Sequence, residues 1–283
     1  MKPTNKSIVL LAVFLSLLCL TGCKNQKVIK ASEAEEKYWN TLSNNVVILY
    51  KQGRIDEASK YADEALKVAK NIYGNNHPKV ASSLNNIAEI YRAKGSYAEA
   101  ESLYKQALKI DEKALGENHT DVANDLNNLA VLYRGIGKLE EAETLNTRAL
   151  EIREQSLGKD HPQVAISLSN LGVIYRVQGK YKKAEPLFNR ALAIREKVFG
   201  KEHPDVAISL NNLAELYSTE GKYSQAEPLF KRSITILEKT LGKEHPNIAT
   251  VMKNLSTMYK SMGKNDLAQA FDKNAVAILS KKH

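Results

Sequence analysis

The sequence predicts an all-α fold, an α-solenoid (superhelix) of about six helix hairpins stacked in tandem. The first observation is a repeat: the pattern of residues 165–206 returns every 42 residues from Ala81 onward. The second is that each repeat carries two apolar stripes of helical spacing. The third is that eleven of the 14 glycines stand at two fixed phases of the period, where hairpin turns are needed.

The first segment, residues 1–22, is not expected to belong to the array. Lys2 and Lys6 give it a positive start, and the apolar run of residues 8–20 suits a signal peptide better than a membrane span. The sequence Leu-Thr-Gly-Cys at residues 20–23 is similar to the lipobox of bacterial lipoproteins. The resemblance implies cleavage before Cys23, a diacylglycerol on its sulfur, and a lipid anchor in the bacterial cell envelope. The alternatives are an ordinary cleaved signal peptide and a chance apolar start.

Residues 23–36 are expected to be the lipidated Cys23 and a polar tether. Lys24 differs from the Asp that favours inner-membrane retention in enteric bacteria. We therefore expect the outer membrane, on its periplasmic side, if the cell is Gram-negative. Cys19 and Cys23 are the two cysteines, so the chain without its leader offers no disulfide framework, thiol nucleophile or cysteine zinc site.

Residues 37–283 are expected to form one continuous array. In residues 165–206, Leu168, Leu171 and Tyr175 mark the stripe of the first helix, and the second helix follows the turn at Gly179. Gly200 is placed to close that second helix. The repeats are placed at about 39–80, 81–122, 123–164, 165–206, 207–248 and 249–283.

These units resemble the tetratricopeptide (TPR) repeat. Its signature spacings are matched by Leu168, Leu171, Gly172, Tyr175, Gly179, Tyr181, Ala184, Phe188 and Ala191. The 42-residue length, the Asn-Asn pair and the GK-E-HP turn resemble the kinesin light chain type more specifically. The resemblance implies a protein-interaction scaffold whose first helices line a peptide-binding groove.

Five histidines recur at one phase of the period, at 77, 119, 161, 203 and 245. Packed helices lie roughly 8–10 Å apart, so equivalent histidines of successive repeats cannot share one metal or one substrate. We interpret them as turn residues that bond a local backbone group. No G-x-S-x-G, H-E-x-x-H, Walker A or G-x-G-x-x-G sequence is present. We therefore predict no enzyme, no cofactor and no metal.

The side of the first helix opposite the core stripe is the predicted binding groove, because such faces align into one concave surface in an array. It carries an amide ladder and a cationic ladder. The amide ladder is Asn86, Asn128, Asn170, Asn212 and Asn254, doubled by Asn85, Asn127 and Asn211. The cationic ladder is Arg92, Arg134 and Arg176, followed after an interruption at Ser218 by Lys260. Amides can grip the backbone of an extended peptide, and arginines can hold its carboxylates.

Two alternatives to this groove stay open. The asparagines can instead bond the backbone of the adjacent repeat and serve only packing, and the arginines can form a solvated face. Neighbouring positions differ between repeats and would supply selectivity: Glu89, Val131, Val173, Glu215 and Thr257.

The predicted function is that of a membrane-anchored scaffold or adaptor lipoprotein that binds an extended peptide segment of a protein partner. An acidic segment would suit the arginines. The alternative is a glycan- or cell-wall-binding accessory protein of the envelope. The formal net charge of +9 is spread over every repeat with acidic residues interleaved, so no nucleic-acid partner is predicted.

Overall fold

The computed structural model describes residues 33–281, which form twelve α-helices without a β-strand. The helices are α1 (33–51), α2 (Ile55–Tyr73), α3 (Pro78–Ala93), α4 (Tyr97–Leu115), α5 (Thr120–Gly135), α6 (Leu139–Leu157), α7 (Pro162–Val177), α8 (Tyr181–Phe199), α9 (Pro204–Thr219), α10 (Tyr223–Leu241), α11 (Pro246–Ser261) and α12 (Asn265–Ser280). Consecutive helices pair into six hairpins. The prediction of an all-α fold, an α-solenoid of about six hairpins, is confirmed.

The predicted signal peptide, Cys23 and residues 24–32 of the predicted tether lie outside the described residues. Residues 33–36, placed at the end of that tether, are helical and belong to α1. After the first hairpin, each hairpin begins at a residue of one phase, three residues ahead of the repeat starts placed from the sequence: Pro78, Thr120, Pro162, Pro204 and Pro246. No described helix has the length and apolar character needed to cross a lipid bilayer.

Each hairpin turn is set by local hydrogen bonds, as the turn of the fourth hairpin illustrates. Gly179 has a φ of +73°, a left-handed conformation that L side chains rarely adopt. Its N–H donates to the carbonyl of Arg176 at 3.0 Å, and the N–H of Lys180 donates to the carbonyl of Tyr175 at 2.8 Å. These two bonds form a Schellman motif, which satisfies the last carbonyls of α7 and reverses the chain.

The chain divides into two compact units, Met1–Leu115 and Gly116–His283. In the described part of the first unit, α3 packs against both α2 and α4. In the second unit, each first helix after α5 packs against its own second helix and against the second helix of the preceding hairpin. Within each unit, the hairpins therefore bury their apolar faces against one another, as in a repeat array.

Candidate functional site

The candidate site is the row of first helices in the second unit, α5, α7, α9 and α11. Each helix of the row contacts the next, whereas the described second helices α6, α8, α10 and α12 make no direct contact with one another. The first helices are therefore the more closely spaced row, as on the inner side of a stacked array. We call the side of this row that carries Asn170 and its equivalents the first-helix face.

Hydrogen bonds between amides join neighbouring hairpins along this face. The Asn170 Nδ2 donates to Asn127 Oδ1, and the Asn254 Nδ2 donates to Asn211 Oδ1 at 3.0 Å. In both cases, the asparagine at the second position of the Asn-Asn pair bonds the asparagine at the first position of that pair in the hairpin before it. The geometry thus gives four of the predicted ladder residues a role between hairpins, by side-chain rather than backbone bonds.

Two other amides on the face are not used in this way. Asn128 on α5 and Asn212 on α9 are half-buried, and neither side chain makes a hydrogen bond within the described part of the chain. Each such side chain offers a carbonyl acceptor and two N–H donors. These amides are therefore open to an external ligand without loss of an internal bond.

The guanidinium of Arg176 is paired within the protein. Its Nη2 lies 3.0 Å from Glu215 Oε2, on the next helix of the row. The other oxygen of Glu215 accepts from Asn211 Nδ2 and from Asn254 Nδ2, each at 2.7 Å. This carboxylate therefore joins α7, α9 and α11, and both of its oxygens are occupied. Arg134 is half-buried at the equivalent position of α5.

The first unit carries a similar carboxylate at Glu89, near the predicted Asn85 and Asn86 on α3. Glu89 accepts from Arg92 Nε at 2.8 Å, from the Tyr50 hydroxyl at 2.6 Å and from the Tyr104 hydroxyl at 2.7 Å. Burial raises the pKa of Glu89, but the bonds from Arg92 and the two tyrosines outweigh it and hold the pKa below its ordinary value.

These pairings change what the cationic ladder can do. The sequence places Arg92 and Arg176 where they would meet the carboxylates of a ligand, yet both already hold a carboxylate of the chain. The signal was present in the spacing: Glu89 and Arg92 are three residues apart on one helix, which makes them neighbours. Glu215 lies three residues before Ser218, and Ser218 is the residue one period after Arg176.

The middle of the first-helix face is apolar. Ile166 on α7 and Ile208 on α9 occupy equivalent positions and are 42% and 41% exposed, and Val177 is 52% exposed. The same positions hold polar residues elsewhere in the unit, such as Asn124 and Thr250. An apolar patch between polar ends indicates a place where a ligand would bury its own apolar groups.

Two cavities open beside this patch, between α9 and α11. The larger is about 320 Å³, and its lining is Ala207, Ile208, Asn211, Asn212, Glu215, Leu237, Asn247, Thr250 and Val251. The smaller is about 130 Å³ and lies by Arg176, Glu215 and Asn254. The carboxylate of Glu215 therefore forms part of the wall of both cavities.

The five repeated histidines are helix N-caps, which confirms their interpretation as turn residues. In each, Nδ1 accepts a hydrogen bond from the backbone N–H two residues later, as in His161 with Gln163 at 3.2 Å. That bond satisfies one of the unpaired donors at the start of the helix. Within the described residues, no group of three or more His, Cys, Asp or Glu side chains is arranged to hold a metal ion.

The sequence reasoning missed two buried arginines, Arg153 on α6 and Arg195 on α8, which are 2% and 7% exposed. Burial lowers the pKa of both guanidiniums, that of Arg153 to about 10. Their spacing of one period was visible in the sequence, but nothing in the helical pattern separates an inward arginine from a solvated one.

The TPR family model matches residues 40–113, 80–155, 121–197, 163–239 and 221–281 of the chain. Among solved structures, BtubC (BKLC) from P. vanneervenii shares 25% identity at a TM-score of 0.63, over 82% of this chain and 91% of that one. A protein of Podosopora anserina with nearly identical TPR-like repeats, described as a kinesin light chain, shares 25% identity at a TM-score of 0.57, over 71% and 95%. A Rap protein solved with competence and sporulation factor is alike in fold alone, at 19% identity and a TM-score of 0.63, over 87% and 76%. No curated protein sequence matches the chain.

Proposed function

Because the chain belongs to the tetratricopeptide repeat family, we propose that it is a membrane-anchored adaptor that holds a protein partner by an extended segment laid along the first-helix face. Repeats of this fold typically serve protein–protein interaction and need no turnover. The structurally similar Rap protein was solved with a bound factor, which is consistent with a ligand-binding use of this kind of array.

One observation supports the proposal most strongly: some amides on the face are bonded to the neighbouring hairpin, and others are left without a hydrogen bond among the residues that the structure describes. The bonds of Asn170 and Asn254 hold neighbouring hairpins together, while Asn128 and Asn212 keep their donors and acceptors unused. A peptide backbone presents both N–H and C=O groups, which an amide side chain can bond in either sense. The face can therefore bond an extended segment at points two hairpins apart.

We propose that amides and apolar contacts carry recognition rather than the arginines. An acidic segment would have to displace Glu89 from Arg92 or Glu215 from Arg176. Exchanging one carboxylate for another brings little net free energy, because the new ion pair replaces an equivalent one. Recognition by amides and apolar contacts is thus the better supported prediction, and an acidic partner is the weaker one.

The membrane half of the proposal rests on the sequence before residue 33. The lipobox-like residues 20–23 would place two or three acyl chains on Cys23, and two chains anchor stably where one binds only marginally. We propose a lipid anchor in the bacterial envelope, which would hold the partner at the membrane surface.

Site-specific crosslinking tests the binding face. A photoreactive benzoylphenylalanine at position 212 would report a segment lying on the first-helix face, and the same residue in place of the exposed Lys231 on α10 is the control. We expect a crosslinked protein band from membranes at position 212 and none at 231. A carbohydrate adduct at 212 that is sensitive to a muramidase would favour cell-wall binding, and equal protein bands at both positions would refute the adaptor.

Detergent phase partition tests the anchor separately. The full chain expressed in a bacterium should enter the detergent phase. The Cys23→Ala variant should either remain in the aqueous phase or show the higher mass of a chain whose leader is not cleaved. A wild-type chain recovered in the aqueous phase would refute the anchor and leave the binding face untouched.

A further inference from the structure

The buried guanidinium of Arg153 fills a defined place between two hairpins. Its Nη1 donates to Ser167 Oγ at 2.6 Å and lies 3.4 Å from the carbonyl oxygen of Gln163. Its Nη2 donates to Asn124 Oδ1 at 2.8 Å, on the first-helix face. The side chain thus runs from the core of α6 toward the face, where its head is held by α5 and α7.

One hairpin later, Arg195 fills the equivalent place. Its Nη1 donates to Ser209 Oγ on α9 and to Ser169 Oγ on α7, at 2.5 and 3.2 Å. Two successive interfaces between hairpins therefore use the same device, an arginine from a second helix that reaches a serine of the next first helix.

The next interface departs from this pattern. The residue one period after Arg195 is Leu237, and the residue one period after Ser209 is Val251. A leucine ends where the guanidinium would begin, so the place of the arginine head is left without an occupant from the chain. The five partners named above occupy four positions of the repeat, because Ser167 and Ser209 are equivalent. At this interface those four positions hold Asn247, Ile208, Val251 and Asn211.

Those four residues and Leu237 all line the cavity of about 320 Å³ between α9 and α11. The cavity therefore includes the place that an arginine head fills in the two preceding interfaces. Its base is apolar, since Leu237 and Val251 lie beneath it and Ile208 forms a wall. Its rim is polar, with the free amide of Asn212 beside it.

We propose that this pocket takes one apolar side chain, of leucine or phenylalanine size, from the segment that lies along the first-helix face. The inference rests on the proposed function and names the feature of the segment that is selected. Ile208, which belongs to the apolar middle of the face, lines the pocket. A closed apolar cavity of roughly 150 Å³ already holds a benzene ring, so the volume is sufficient for a bulky side chain.

The charges of the lining exclude a charged occupant. Glu215 is the one charged residue among those that line the pocket in the described chain, and its two oxygens are taken by Arg176 and by two asparagines. A cationic side chain would lose hydration and would find, among the described lining residues, no carboxylate that is not already paired, and an anionic one would face the carboxylate of Glu215. An apolar side chain has no charge to desolvate, and its burial in the pocket contributes favourable free energy.

The chain itself supplies the matched variant. Leu237→Arg with Val251→Ser recreates the arginine and serine that two other interfaces of this protein already hold, so the fold has a precedent for both residues. The arginine head would occupy, within the pocket, the place that it takes in those two interfaces, and would leave the rest of the first-helix face unchanged. Ile208→Asn, which copies Asn124, is a second variant at an exposed position and removes the apolar wall.

The probe is the peptide acetyl-Gly-Ser-X-Ser-Gly-amide with photo-leucine at X, irradiated with the full-length chain and mapped by mass spectrometry. We expect crosslinks at residues 208, 237 and 251, reduced at least about tenfold in both variants, since one bulky side chain can no longer be buried. Excess peptide with phenylalanine or leucine at X should compete, and peptide with alanine, glutamate or lysine should not.

The contrary results separate this inference from the proposed function. Crosslinks elsewhere on α5, α7, α9 and α11, crosslinks unchanged in the variants, or competition by the charged peptides would overturn the pocket and leave the binding face standing. Crosslinks confined to other surfaces, together with failure of the position 212 experiment, would overturn both. No crosslink at all would overturn the pocket.

Discussion

Replacing the buried arginine and its serine should stabilise the interface between the third and fourth hairpins. The change is Arg153→Leu with Ser167→Val, which copies Leu237 and Val251. Burial lowers the pKa of Arg153 from its ordinary value of 12.5 to about 10. At 1.36 kcal/mol per unit, this corresponds to about 3 kcal/mol that disfavours the charged guanidinium in the folded state.

The hydrogen bonds of the guanidinium offset that penalty. Arg153 makes two short bonds, to Ser167 and Asn124, each worth about 1.5 kcal/mol or more for a charged donor. The two contributions cancel approximately, so the burial of the new leucine and valine methyl groups decides the sign. We expect the double variant to be more stable by about 2 kcal/mol, within the range found when buried polar pairs are replaced by apolar ones.

The single variant Ser167→Val is the matched control. It removes the nearest acceptor but leaves the guanidinium buried, so we expect a loss of about 1–3 kcal/mol. Urea unfolding followed by circular dichroism gives the free energies, and hydrogen exchange of the α6 and α7 amides locates the change. A double variant less stable than the wild type would show that the polar contacts outweigh the desolvation, and the reasoning would be wrong.

Four further substitutions test other contacts. Asn170→Ala should lower the free energy of unfolding by about 1 kcal/mol, because it removes a hydrogen bond between the side chains of two hairpins. Asn212→Ala should change the free energy of unfolding by less than about 0.5 kcal/mol. Equal losses in the two variants would contradict the distinction between these asparagines. Glu89→Gln should destabilise the chain at pH 7, and the difference in free energy of unfolding between variant and wild type, measured in urea, should shrink as the pH falls. The reason is that a carboxylate with a lowered pKa adds stability above its pKa in the unfolded chain, and this stability is lost as the pH falls through its pKa in the folded chain. Burial and the bond to Glu185 raise the pKa of Tyr217 to about 12, so the stability it provides is present below pH 10 and lost as the pH rises to 12. The melting temperature of Tyr217→Phe should therefore fall less over that interval, and an equal fall would refute the assignment.

Most of the fold could be predicted because its signals are local and repeated. A glycine such as Gly179 is needed wherever the chain turns with positive φ, and a histidine such as His161 caps the helix that follows it. Both effects act within a few residues of the chain, so the period alone places them. The helical stripes then require neighbours on both sides, which in an array the adjacent hairpins supply.

The candidate site could be predicted only in outline, because its chemistry depends on contacts between hairpins. The periodicity places Asn170 and Asn212 on one face but does not reveal that one is bonded and the other is free. Nor does it reveal that Arg176 meets Glu215 rather than a ligand. Equivalent positions thus differ in availability according to the residue that the neighbouring hairpin presents.

The same dependence links stability and recognition at a single repeated position. Arg153 and Arg195 reach from the core toward the first-helix face, whereas Leu237 stops short of it. An arginine there stabilises or destabilises the interface through the balance of burial and hydrogen bonds, and it also closes the space beneath the face. Arg153→Leu with Ser167→Val should therefore do two things at once: raise the free energy of unfolding and open a second pocket between α5 and α7. That pocket would have Asn124 in its wall instead of Ile208, so the photo-leucine peptide should label it more weakly than the natural one. Added stability without new labelling near residue 153 would show that the arginine head does not define the pocket.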